Sequence, residues 1–211
     1  MKLKMTKSTF NFKNFILLKF FLFFLIFSFE SYSDTLNISE KLITLGSNKA
    51  PVKIKVFSSH TCPHCAKFHT EVVSKLKKNY IEVDKVQLIF IDFPLDHAAL
   101  NTSKLSYCLN AEKQILFLDN IYENQNKWTN GKNIEEINNN LKKIAKIYGI
   151  NSSQFDDCIN NDNIEDSILS GRIEAQKKYS INSTPTIVIN EKKLKNPVTF
   201  ENIKKEIEKI I

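Results

Sequence analysis

No apolar run in this chain of 211 residues is long enough to cross a membrane. The longest, Phe15 to Phe29, is broken by Lys19 and holds about fifteen residues, where a spanning helix needs roughly twenty. With Lys2, Lys4, Lys7 and Lys13 ahead of it and the small residues Ser31 and Ser33 behind it, residues 1–33 read as a secretory signal cleaved after Ser33. An uncleaved anchor is the alternative, and the shortness of the run favours removal. The chain also lacks a dense basic patch. Five lysines and one glutamate in the first 33 residues carry four of the seven net positive charges. The remaining +3 is scattered among Lys, Glu and Asp, which is a solvated surface and excludes a nucleic-acid footprint. There is no internal repeat. Cysteine is scarce: Cys62, Cys65, Cys108 and Cys158, all beyond the signal. An even number in an exported chain permits two disulfides.

Two of the four form the motif Cys62-Pro63-His64-Cys65. Before it, Val52, Ile54 and Val56 alternate with lysines, as in a strand with one buried face. After it, Cys65, Phe68, Val72, Leu76 and Tyr80 recur at spacings of three and four, the apolar stripe of a helix on a sheet. Cys-x-x-Cys at a strand-to-helix junction is the form of a thiol–disulfide exchange site. The helix N-terminus favours an anion, so Cys62 is expected to be the exposed sulfur that attacks or is attacked. Cys65, one turn in, faces the interior and resolves the mixed disulfide. Pro63 suits the first turn, where its missing N–H would be unpaired anyway. His64 brings a donor, and a positive charge when protonated, beside Cys62. A half zinc site is the competing reading, with His60 and His69 close by. No second ligand pair has metal spacing, and the site is read as needing neither metal nor cofactor. His60 and His69 are expected on the surface, His60 near enough to influence the site. His97 is expected to start a helix and pack there, and Trp128 to be a loop or core aromatic.

Along the rest of the chain, Asp34 to Ser47 reads as an irregular lead-in. Val86 to Ile91 is a buried strand parallel to the first, making a right-handed βαβ unit. Helices are expected over 97–110 and 112–123, with a loop over 125–132. Asn133 to Glu136 forms a capping box for a helix ended by Gly149, and Ser152 or Ser153 caps a short helix. A long helix follows from Ile164 to Tyr179. Thr186 to Asn190 is a strand, Glu191 to Lys193 a turn, Leu194 a short strand, and Thr199 caps a final helix. Pro185 reads, from its position alone, as a proline that opens a strand.

The whole pattern resembles the DsbA-like thiol:disulfide oxidoreductases of the thioredoxin superfamily. The similarity runs over residues 43 to 211. It rests on Leu45-Gly46, Ala50-Pro51-Val52, Cys62-Pro63-His64-Cys65, Phe93-Pro94-Leu95 with His97-Ala98-Ala99, and Ser183-Thr184-Pro185-Thr186. The resemblance implies an α/β fold: a thioredoxin fold with an all-helical domain inserted between its βαβ and ββα halves. The expected parts are a signal (1–33), a lead-in (34–48), a first thioredoxin-like half (49–95), a helical insertion (96–168) and a second half (169–211). The resemblance further implies a cis peptide before Pro185, with Thr184 and Pro185 in a substrate-binding loop facing the cysteines. It also implies a structural Cys108–Cys158 bridge, as some relatives have, two free thiols being the alternative. The pattern departs from the family where relatives carry a glutamate six residues before the first cysteine; here that residue is Val56. The turn after Asn190 also lacks the family's usual glycine.

The implied function is an exported oxidase that gives its Cys62–Cys65 disulfide to unfolded or reduced secreted proteins in the periplasm and is reoxidised by a membrane redox partner. Lowering an attacking thiol from pKa roughly 7 to about 3.5 stabilises the reduced form by about 5 kcal/mol, on the order of 100 mV for two electrons. An isomerase or reductase on the same fold is the alternative, and Thr184 before Pro185 is compatible with it. Only about a dozen residues separate the signal from Gly46, too few for an oligomerising domain. A redox-inactive binding chaperone is the third reading.

Overall fold

The computed structural model describes residues 42–195 and 197–211. The expected signal and the first part of the lead-in lie outside them. Five strands form one mixed sheet: β1 (Ile43–Leu45), β2 (Val52–Ser58), β3 (Val86–Asp92), β4 (Thr186–Ile189) and β5 (Lys192–Lys193), in the spatial order β1-β3-β2-β4-β5. β2 and β3 run parallel, with Val52 opposite Val86 and Ser58 opposite Asp92. The connection between them is helix α1, residues 63–81. β4 lies antiparallel to β2. The lead-in is not wholly irregular: its end forms β1, an edge strand antiparallel to β3. Three residues are too short for a periodic signal, so pairing rather than propensity makes this strand. Gly46 leaves it at φ +99, where a Cβ would lie 2.6 Å from the Val86 carbonyl oxygen, so no other residue makes this turn without strain.

Helix α1 departs from its expected stripe. It is α-helical at Pro63–Lys67 and Ser74–Leu76, but takes wider π-type turns at Phe68–Val73 and Lys77–Ile81. Bonding from i to i+5 inserts an extra residue per turn. The buried face therefore passes through Phe68, His69, Val73, Leu76, Tyr80 and Ile81, and Val72 is only half-buried. The wider turns add Val73 and Ile81 to that face, while His69, four residues after Cys65, lies on it in either geometry.

Six helices follow β3: α2 (His97–Tyr107), α3 (Ala111–Glu123), α4 (Gln125–Trp128), α5 (Ile134–Ile147), α6 (Ser152–Ile159) and α7 (Asp162–Tyr179). Asp96 caps α2 and Asn133 caps α5, each accepting a backbone N–H with its side chain. Glu136 completes the α5 cap by accepting from the N–H of Lys132 instead of Asn133. The α6 cap is Asn151, not Ser152 or Ser153, in a full capping box with Gln154. The stretch expected as a loop contains α4, whose Trp128 is a core residue with its indole N–H on the Ile121 carbonyl at 2.8 Å. Trp128, Phe117, Leu141 and Phe155 centre a core separate from that of the sheet. His97 starts α2 but is exposed.

Back in the sheet, the β4–β5 turn places Asn190 at φ 41 and Glu191 at φ 68. Without glycine, side chains hold it: Glu191 is paired with Lys55 and Lys178 and accepts from the Tyr179 hydroxyl. These three donors hold the Glu191 carboxyl down at about 2. The last strand is Lys192–Lys193, one residue earlier than Leu194. Helix α8 (Phe200–Ile207), capped by Thr199, buries Ile203 and Ile207 against the sheet. Among the described residues no helix is long and apolar enough to cross a membrane.

Candidate redox site

Strand β2 ends at Ser58 and α1 begins at Pro63, so Ser59 to Cys62 form a short bridge at the carboxyl end of the sheet. Several side chains stitch it down. Gln125 Nε2 donates to the carbonyls of both His60 (2.7 Å) and Cys62 (3.1 Å). Thr61 donates its hydroxyl to Asp96 at 2.6 Å, and Ser59 Oγ accepts from the N–H of Leu95. The helical block thus holds the bridge from α2 and α4. Sequence spacing shows nothing of Gln125, because its partners are backbone carbonyls more than sixty residues away.

Cys62 is the N-cap of α1 and Pro63 its first residue. Both cysteines are free thiols. Cys62 is not openly exposed: 8% of it is accessible, against 1% of Cys65. The sulfur is recessed against the loop before β4, where its S–H donates to the Thr184 carbonyl at 3.3 Å. The Thr184–Pro185 peptide is cis. His64 is exposed and lines, with Lys67, Phe68, Thr184, Pro185 and Phe200, an open groove of about 530 Å³ beside the cysteines.

The electrostatics separate the two sulfurs. Burial pushes the Cys65 thiol up to about 12, only partly offset by the Thr184 hydroxyl and the Ser59 backbone N–H. Thr184 Oγ1 is itself buried and without a hydrogen-bond partner. The hydroxyl faces a sulfur that is a poor acceptor as a thiol and a good one as a thiolate.

Behind the cysteines lies a polar cluster that the sequence reading did not foresee. His60 and His69, expected at the surface, are 2% and 6% exposed. Tyr122 of α3 packs with Cys62 and Cys65 and sits between the two imidazoles, with ring centroids 5.5 Å from His60 and 4.7 Å from His69. His69 Nε2 lies 2.6 Å from Asp119 Oδ1. His60 Nδ1 lies 3.2 Å from Ser103 Oγ and 3.6 Å from Asp92 Oδ1. Burial pushes the Tyr122 phenol well above its ordinary range and holds His60 below the usual histidine range, despite Asp92. Val56 is plain core. One sequence signal pointed here: Asn101-Thr102-Ser103-Lys104 is a polar run in the middle of a helix, and all four residues are buried. Cys108 and Cys158 lie apart from this cluster. They form a disulfide between the end of α2 and α6, with Cα atoms 6.3 Å apart, inside the usual span.

A family model described as Thioredoxin matches residues 39–209. A Bacillus anthracis protein named "Probable disulfide bond formation protein D" is 31% identical over 170 residues, 79% of this chain and 76% of that protein. A Rickettsia prowazekii protein named as a protein-disulfide oxidoreductase is 27% identical over 84% of this chain, and the chain spans 64% of its length. Among solved structures, α-DsbA1 of Wolbachia pipientis superposes with a TM-score of 0.74 at 29% identity, covering 81% of this chain and 91% of that one. The sheet order, the helical block inserted between β3 and β4, and these matches agree: the chain belongs to the thioredoxin family and shares the architecture of the DsbA structure it superposes on.

Proposed function

We propose that this chain is an exported thiol–disulfide oxidase that donates a Cys62–Cys65 disulfide to newly secreted proteins. The observation that carries the reading is the asymmetry of the pair. Cys62 caps the helix beside the Thr184–Pro185 loop and the groove, while Cys65 is sealed beneath it with its thiol pushed up to about 12. A substrate thiolate attacks Cys62 Sγ, Cys65 leaves and takes a proton, and a second substrate thiol releases the product disulfide from Cys62. An extended substrate strand pairs with the backbone at Pro185, and its side chains lie in the groove past His64. Cys62 stands at the amino end of α1, where a helix favours an anion, and an anion there favours the reduced site and makes the oxidised one a donor. The apolar segment before Ser33 supplies export to the periplasm, and continued turnover calls for a membrane partner that reoxidises the pair.

Equilibration with glutathione tests the direction. A potential near −120 mV is expected, and one near −270 mV, the thioredoxin range, would make the protein a reductant. Cys62→Ser is expected to abolish exchange with a reduced secreted substrate. A variant that still promotes refolding would point to a binding chaperone instead.

A further inference from the structure

We propose that Gln125 of α4, which donates to the carbonyls of both His60 and Cys62, is a positioning residue that holds the cysteine bridge in the dithiol form and so makes the disulfide form the stronger oxidant. The proposal rests on exchange at the Cys62–Cys65 pair and goes beyond the oxidase reading, since it assigns part of the potential to the helical block.

Cys62 stands between two peptide planes. The plane before it is held by its own N–H, which donates to the Ser59 carbonyl at 3.1 Å. The plane after it leads into Pro63, which has no N–H, so the Cys62 carbonyl is the one polar backbone group by which that plane can be held. This carbonyl accepts from the N–H groups of Cys65 (3.0 Å) and Ala66 (3.1 Å), and from Gln125 Nε2 at 3.1 Å. The same amide nitrogen donates to the His60 carbonyl at 2.7 Å. Together these bonds fix the extended backbone of Cys62, φ −76 and ψ 118, and with it the direction in which Cβ carries the sulfur to the Thr184 carbonyl. The donor is itself fixed. Gln125 is 5% exposed, and its carbonyl accepts from both the N–H (3.0 Å) and the hydroxyl (2.7 Å) of Thr129. Trp128, three residues on, is locked in the core of the helical block. A donor ordered beforehand makes its bonds without giving up side-chain freedom at that moment.

These bonds belong to the form in which both thiols are free. In the oxidised form an S–S bond ties Cys62 to Cys65 and restrains the same bridge covalently. Reduction removes that tie: two substrate thiols give up two electrons and two protons and join as a disulfide, the electrons break the Cys62–Cys65 bond, and each sulfur takes a proton. The place of Cys62 then depends on hydrogen bonds alone: the pair from Gln125, Thr61 to Asp96, and the Leu95 N–H to Ser59. A contact shifts an equilibrium only by the difference between what it contributes to the two forms. Gln125 contributes more where no covalent tie does the same work, so it favours the dithiol and raises the oxidising power of the disulfide.

The test is the equilibrium with glutathione, and the unfolding free energy of both redox forms, for the intact parent, Gln125→Met and Gln114→Met. Methionine keeps the length of the arm and removes its donors. Gln114 of α3 is the control: it is 3% exposed and donates to the Ser106 carbonyl at 3.0 Å, inside the helical block. Gln125→Met is expected to make the disulfide form about tenfold less oxidising, about 30 mV, and to destabilise the dithiol form more than the disulfide form by the same factor. Gln114→Met is expected to weaken both forms equally and leave the equilibrium in place. Backbone amide relaxation over residues 59–62 is expected to show a looser bridge in Gln125→Met only when the pair is reduced. Where Gln125→Met does not fold when reduced, Gln125→Asn, one methylene shorter, carries the same comparison. An equilibrium unmoved in the Gln125 variant, moved as far in the Gln114 variant, or moved toward stronger oxidation overturns the proposal. A parent pair that does not exchange with glutathione would instead overturn the functional reading beneath it.

Discussion

At Thr184 a buried hydroxyl waits for a charge. Its Oγ1 has no hydrogen-bond partner while Cys65 is a thiol, yet it lies where it favours the Cys65 thiolate. An unsatisfied buried polar group costs about 1–3 kcal/mol, and a hydrogen bond to a charged group is worth about 1.5–3 kcal/mol. Thr184→Val, nearly isosteric, is therefore expected to leave folding stability unchanged or raised, by up to about 1 kcal/mol. The same change should slow closure of a Cys62 mixed disulfide by Cys65 about tenfold or more, because that step needs the thiolate. Rapid-mixing measurement of closure, with denaturation run alongside, checks both signs; a slower step in a destabilised variant would mean that valine merely disturbs the loop. At this scale the sequence made the cysteines legible, since their spacing and place before a helix are local facts. It did not reveal the histidines. His69 sits four residues after Cys65, on the buried stripe of the helix, and was expected outside only because histidine is polar. His60 is buried because α2 and α4 cover it, and both arise far along the chain.

Among the elements, α2 is the one whose sequence and burial disagree. A helix that is polar along much of its length is usually solvated, but Asn101, Thr102, Ser103 and Lys104 all face inward. Each has a partner: Asn138 for Asn101, the Ala98 carbonyl for Thr102, Asp92 for Ser103, and Glu165 of α7 for Lys104. The Lys104–Glu165 pair is lopsided. The ammonium is 2% exposed and the carboxylate 36%, at 2.6 Å. Removing the lysine frees a carboxylate that water already reaches, whereas removing the glutamate strands a buried charge. Lys104→Met is expected to cost under about 1.5 kcal/mol, and Glu165→Ala about 3 kcal/mol. Denaturant midpoints of the two single variants and the double give the comparison. Equal costs would mean that the lysine stem, not its charge, carries the contact. Element identity was legible wherever periodicity ran for ten residues or more, as in α3, α5 and α7. It failed for β1 and α4, whose three and four residues carry no period, and at the α6 cap, where Asn151 outcompetes two adjacent serines.

On the scale of the whole molecule, the helical block reaches the sheet domain's site from three helices and has one internal tie. The attachments are Ser103 of α2 with its cap Asp96, Asp119 and Tyr122 of α3, and Gln125 of α4. The tie is Cys108–Cys158, which closes a loop of 50 residues at the other end of α2. Cross-linking a loop of that length restricts the unfolded chain by roughly 4 kcal/mol, an upper figure where the denatured state is compact. Nothing in the disulfide touches the His60 cluster, and α2 keeps its own core contacts at Ala98, Leu105 and Leu109. Replacing both cysteines by alanine is therefore expected to lower unfolding free energy by up to about 4 kcal/mol, while the Cys62–Cys65 equilibrium with glutathione shifts less than about threefold. Chemical denaturation and redox titration of the same double variant separate the two quantities. A potential that moves in step with stability would mean the block and the redox site unfold and tune as one unit. Stability that falls while the potential holds would show that the block bears on the redox pair through α3, α4 and the first half of α2, with the disulfide serving only to keep the block closed.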